Sequence, residues 1–213
     1  MRKRLEVEYG IHVSVGRVWR LMRSMQLPKM STRNKPKRNG QCSADQSEYK
    51  DLLKRKFQVQ APNLAWVSDI TYVRVANGFN YVCTVMDLYS RKIIAWKVAR
   101  NPNSMLVLQT LEEAWKIRGK PEAVIFHSDR GTQKFVQSFS KSGSPYDNAV
   151  AEAFFRYLKE EELNRRNFSC TEELRRSLFT YIDGFYNTRR PHSANEERTP
   201  NEQEAEFGRL HMA

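Results

Sequence analysis

Trp66-Val67-Ser68-Asp69-Ile70-Thr71-Tyr72-Val73 changes character every second residue, the period of a strand. Its apolar neighbours put Asp69 in a partly buried position, where a charged residue needs a compensating partner. Working outward, Asn77-Gly78 is a hairpin signal. Tyr81 to Leu88 continues as a second strand, and Arg91 to Val98 makes a third, rich in Ile and Val. Residues 103–118 set Met105, Leu108, Leu111 and Trp115 on one helical face, and Ala123-Val124-Ile125-Phe126-His127 is a short buried strand. Three antiparallel strands, a helix and a further strand predict an α/β domain. Downstream, Val150, Ala153, Phe154, Tyr157 and Leu158 share one helix face; Leu174, Leu178, Tyr181, Ile182 and Phe185 share another. The residues after about Pro200 read as a loose tail.

The 213 residues, with 40% hydrophobic and 11% aromatic side chains, suffice for a packed core plus an appendage, which excludes wholesale disorder. No run approaches the ~20 apolar residues of a membrane span. The N-terminus runs straight into charge, with no apolar leader. Cys42, Cys83 and Cys170 are odd in number and far apart, as suits reduced thiols rather than a disulfide framework or zinc cluster. The expected location is cytoplasmic, close to the nucleoid.

Charge narrows the partner class. The net formal charge is +12, and residues 1–60 hold 15 Lys/Arg against 5 Asp/Glu, while the remainder is nearly balanced at 21 against 19. A basic arm on a near-neutral body suits a polyanion, because each cation meeting a phosphate releases counterions. A membrane surface fits less well, for want of an amphipathic helix with bulky anchors. Within the arm, residues 2–9 predict a helix ended by Gly10, and Ser14 caps a second helix over 15–26. Arg17, Arg20 and Arg23 lie off its apolar stripe and are candidate DNA contacts. Residues 1–27 thus form a partial helix-turn-helix or an ordinary basic hairpin. Residues 28–60 follow as a basic linker with a short helix near 47–57, then a core over 61–200 and a tail over 201–213.

Asp69 inside a strand, Asp129 directly after the strand 123–128, and Glu152 early in a helix could form a carboxylate site. Gathered together they would raise one another's pKa unless a divalent cation balanced them, and hard oxygens favour Mg²⁺ or Mn²⁺. Two ions ~3.5–4 Å apart support phosphoryl transfer. Taken singly, each acid reads equally as a surface charge or a helix cap.

Trp66-Val67-Ser68-Asp69-Ile70-Thr71-Tyr72, His127-Ser128-Asp129-Arg130-Gly131-Thr132-Gln133 and Gly143-Ser144-Pro145-Tyr146-Asp147-Asn148-Ala149-Val150-Ala151-Glu152 resemble bacterial insertion-sequence transposases of the insertion-sequence-three family, relatives of retroviral integrases. Tyr186-Asn187-Thr188-Arg189-Arg190-Pro191-His192 and Thr199-Pro200 look like that family's closing signature. The resemblance implies a ribonuclease H-like integrase core and a catalytic, metal-binding triad of Asp69, Asp129 and Glu152 with two metal ions. It also implies a DNA-contacting Lys159, seven residues beyond Glu152 with Arg156 between; the alternative for Lys159 is a salt bridge to a local acid such as Glu160 or Glu162. Arg130, beside Asp129, is a further DNA-contact candidate. His127 either meets the site or packs at its strand end, Asp147 and Asn148 cap the Glu152 helix, and Arg189, Arg190 and His192 either touch DNA or solvate the surface. The implied partners are element ends and target DNA, further copies of the chain, and a separately encoded helix-turn-helix protein.

The sequence departs from the family in one interval. Asp129 and Glu152 stand 23 positions apart, where the family places about 35 residues between them. The loss falls after Gln133, where a helix is expected before the strand Phe135–Phe139. The start is short as well, lacking helix that would complete the helix-turn-helix. These departures set two expectations side by side: a transposase performing metal-dependent cleavage and strand transfer, and a DNA-binding remnant inactivated by an internal deletion.

Overall fold

The structure is a computed structural model that describes residues 2–26, 59–128, 137–139 and 149–211. The chain divides into two compact units, residues 1–40 and 41–213. The predicted short helix near 47–57 and most of the basic linker lie outside the described residues.

In the first unit α1 (Arg2–Tyr9) and α2 (Val15–Ser24) are joined by a turn. Gly10 adopts φ +65°, a left-handed conformation that costs glycine nothing, and the N–H groups of Gly10 and Ile11 fold back onto the Glu6 and Leu5 carbonyls. As expected, Ser14 caps α2: the Arg17 backbone N–H donates to its Oγ at 3.2 Å. Val18 is the buried residue of α2, and Arg17, Arg20 and Arg23 are exposed. Arg23 lies over the Trp19 ring at 5.4 Å.

The second unit carries a five-stranded sheet ordered β3-β2-β1-β4-β5. Its strands are β1 (Ala65–Val75), β2 (Gly78–Asp87), β3 (Ile93–Ala99), β4 (Ile125–Ser128) and β5 (Gln137–Phe139). The first three are antiparallel, and β4 and β5 run parallel to β1. The β1–β2 hairpin closes one residue earlier than the Asn77-Gly78 signal suggests. Val75 pairs with Gly78, which takes φ +119°, so Ala76 and Asn77 form the turn.

The helices are α3 (Ser104–Ile117), α4 (Ala149–Glu161), α5 (Thr171–Tyr181) and α6 (Pro200–His211). Asn103 caps α3, accepting the Leu106 N–H at 3.0 Å. Strand alternation divides the core between two faces. On one, Val67, Val73, Val82 and Met86 pack with Phe154 and Leu158 of α4 and Leu174 and Leu178 of α5. On the other, Trp66, Cys83 and Val85 pack with Leu106, Leu111 and Ala114 of α3. Each buried Val, Leu, Met or Phe among them contributes ~1.5–3 kcal/mol by leaving water. Among the described residues no helix is long and apolar enough to cross a membrane.

One expectation meets a different outcome. The tail predicted for residues 201–213 is helical as far as His211 and begins with a capping box. There the Thr199 N–H donates to Glu202 Oε2 at 2.8 Å, and the Glu202 N–H donates to Thr199 Oγ1 at 3.2 Å. Pro200 occupies the first helical turn, where its missing N–H costs nothing. The expected strand after the shortened interval does form, as β5. Eight residues separate it from β4, fewer than the dozen or more of an ordinary parallel crossover.

Candidate active site

Asp69 stands midway along β1, the central strand, and is half-buried. One of its oxygens accepts the Ile70 backbone N–H at 2.7 Å. Alternation gives Asp69 the same face as Val67 and Val73, the face covered by α4. The β1–β4 ladder ends with Ser68 opposite Ser128. Asp129 and Arg130, the next residues in the chain, lie outside the described residues, as do Asp147 and Asn148. His127 is fully buried opposite Val67, so its place is within the sheet.

Glu152 lies exposed in the first turn of α4, and Lys159 lies in its last turn. Seven residues are nearly two helical turns, so the two share a side of the helix. Ala151, Phe154, Phe155 and Leu158 form the buried side. Arg156 is exposed and lies 5.2 Å from the Tyr157 ring centroid. The Lys159 ammonium sits 4.9 Å over the ring of Tyr72 on β1. Glu162 accepts from Arg166 at 2.9 Å and from the Ser177 hydroxyl at 2.7 Å. Among the described residues no three His, Cys, Asp or Glu side chains are grouped to hold a metal. Asp69 and Glu152 are the described members of the expected triad.

A polar scaffold that the sequence reading missed anchors α4. At its C-terminal end Glu161 pairs with Arg190 at 2.9 Å and accepts the Tyr181 hydroxyl at 2.7 Å. Arg190 also stacks 4.1 Å from the Tyr157 centroid. Burial, reinforced by the hydrogen bond to Glu161, pushes the Tyr181 phenol far up. Tyr186, Asn187 and His192 of the closing signature are buried. Asn187 Nδ2 donates to the Ile93 carbonyl at 3.0 Å, and its Oδ1 accepts the Ile93 N–H at 3.0 Å, clasping β3. Tyr186 packs edge-on against Phe154 at 4.8 Å, and His192 meets Tyr186 at 4.7 Å. Of the three residues given to DNA or solvent, Arg190 and His192 turn inward and Arg189 is exposed.

A second buried cluster fixes α6. Asp87, fully buried, accepts the N–H groups of Asn63 and Tyr89 at 2.8 Å each. Desolvation raises its pKa although Arg118 lies 3.8 Å away. Glu204 of α6 accepts from Ser90 at 2.8 Å, Lys92 at 3.2 Å and Arg118 at 3.0 Å. Burial alone would raise the Glu204 pKa, but these cations hold it below the ordinary value.

A five-stranded sheet ordered β3-β2-β1-β4-β5, with helices packed on both faces, defines a mixed α/β core. Two family models described as integrase core domain match residues 59–147 and 133–200. The transposase for insertion sequence element IS904 of Lactococcus lactis subsp. lactis (strain IL1403) is 31% identical over 204 residues, covering 90% of this chain and 80% of that protein. Transposase InsF for insertion sequence IS3A of Escherichia coli (strain K12) is 36% identical over 156 residues, 67% of this chain. The chain spans 54%, about half, of that relative's length. A chain of the simian T-cell lymphotropic virus intasome in complex with PP2A regulatory subunit B56 gamma matches with a TM-score of 0.52 at 16% identity. That match covers 69% of this chain and 56% of the viral one, and it shows a shared ribonuclease H-like fold. This chain belongs to the IS3-family transposases with an integrase-like core.

Proposed function

We propose that the chain cleaves DNA at the ends of a mobile element and joins those ends to target DNA by direct transesterification, with water or a 3′-hydroxyl as nucleophile. The observation that carries this is the placement of Asp69, half-buried on the central strand and facing the helix that bears Glu152, in a chain of transposase kin.

Asp69, Asp129 and Glu152 would hold Mg²⁺ or Mn²⁺, two ions in all. The donor set fits such cations: the oxygens are hard, and Asp69 is withdrawn from bulk water on a face where further carboxylates would repel it. When bound, two ions activate the attacking oxygen and stabilise the leaving oxygen of an in-line displacement. Lys159 and Arg156, on the Glu152 side of α4, contact backbone phosphates with charge-assisted hydrogen bonds. Arg130 adds a contact beside Asp129. Arg17, Arg20 and Arg23 extend phosphate binding along α2, which enlarges the footprint without reading bases. The partners are element ends, target DNA, further copies of the chain and a separately encoded helix-turn-helix protein, acting at the nucleoid.

A second reading, a DNA-binding remnant that occupies ends without cutting, is favoured by one observation: the 23-position step from Asp129 to Glu152. A strand-transfer assay with the full chain, Mg²⁺ and the element's terminal repeats separates the two. The catalytic reading expects joined product that falls to background in Asp69→Ala. Salt-sensitive binding indifferent to Asp69→Ala, with no nicking even in Mn²⁺, overturns it in favour of the remnant.

A further inference from the structure

We propose that Tyr72, Phe79, Arg74 and Lys159 form a subsite for one unpaired nucleotide of the DNA, a reading that rests on the DNA function proposed above. Tyr72 and Phe79 are both large rings left about half exposed, at 51% and 53%. They meet edge to face, with centroids 5.7 Å apart and planes at 83°. Neither ring belongs to the buried clusters on the two sheet faces, so their exposure does not follow from core packing.

Two cations flank the rings. Lys159 comes from α4, which covers the other face of the sheet, yet its ammonium lies 4.9 Å over Tyr72. The edge of β1 is unpaired with β4 beyond Ser68, which leaves the lysine a route. Arg74 stands directly across the ladder from Phe79, on the Tyr72 face, and is exposed. Exposed aromatic rings beside cations are the chemistry that takes single-stranded nucleic acid: a base stacks on a ring while the charge meets its phosphate. A double-stranded segment keeps its bases stacked inside and offers the rings nothing.

Position supports the same occupant. Tyr72 is three residues along β1 from Asp69, about 10 Å at strand rise. The three-residue step turns the Tyr72 ring to the sheet face opposite Asp69, so a strand that reaches both passes the β1 edge beyond Ser68. The subsite would hold a base that has left the duplex and crossed that edge, away from the strand being cut or joined.

The test is fluorescence anisotropy of the full chain with a blunt duplex and with the same duplex carrying a short single-stranded overhang. The wild type is expected to prefer the overhang, and Tyr72→Ala with Phe79→Ala to weaken overhang binding by about tenfold while sparing the blunt duplex. Tyr72→Phe, which keeps the ring, is expected to restore the preference and shows that the loss is not misfolding. Equal wild-type affinity for the two DNAs overturns the subsite and leaves the DNA reading standing. So does a preference that survives removal of both rings. Failure of the wild type to bind either DNA overturns both.

Discussion

Burial with the cations Arg190 and Arg91 close by holds the His192 imidazole down at about 4, against an ordinary 6.5. A histidine kept neutral in the folded state is protonated first in the unfolded chain as pH falls. Its contribution to stability is therefore intact above about pH 6.5 and drains away toward pH 4, by up to about 3 kcal/mol. Urea midpoints for wild type should fall steeply between pH 6.5 and 5, and His192→Gln should flatten that slope. Equal slopes would mean that His192 does not titrate as its surroundings demand. Little in the local residue pattern warns of this role. An Arg-Arg-Pro-His run reads as surface or as DNA contact, because nothing local reveals that Glu161 and Tyr157 meet Arg190 from another helix. Asp69 was legible for the opposite reason: an acid inside an alternating strand contradicts its own neighbourhood. That Glu152 and Lys159 share one side of a helix follows from their seven-residue spacing, while their roles come from the family resemblance. The roles of Asp69, Asp129 and Glu152 are all proposals, and Asp129 lies outside the described residues.

Among the elements, β1 to β4 and α3 follow from period and capping, which are local. The α6 helix was legible too, since Thr199-Pro200-Asn201-Glu202 spells a capping box, but its weak amphipathic stripe let it pass for a tail. What fixes it is the Glu204 carboxylate against Ser90, Lys92 and Arg118, a contact no local pattern foretells. Removing one partner of a mostly buried pair leaves the others uncompensated. Glu204→Ala should lower unfolding stability by about 3 kcal/mol and raise amide exchange along α6 above that of α5. Unchanged exchange in α6 would show that its apolar contacts suffice.

At the scale of the molecule, charge is unevenly placed between two units, and the basic arm carries most of the excess. If α2 meets phosphates, each arginine releases counterions, with a slope of about −0.9 in log K against log salt per contact. Replacing Arg17, Arg20 and Arg23 by Gln should therefore lessen the slope by up to about 3. A slope that does not change would confine the DNA footprint to the core. Stability of the core and salt response of the arm are then separable measurements.

The α6 clasp also orders events in time. Glu204 lies 86 residues beyond Arg118 and 114 beyond Ser90 along the chain. A ribosome delivers the sheet and α3 well before the acid that balances their cations. Until that carboxylate arrives, Arg118 has only the buried Asp87 to face, so the nascent core waits incomplete on its final helix.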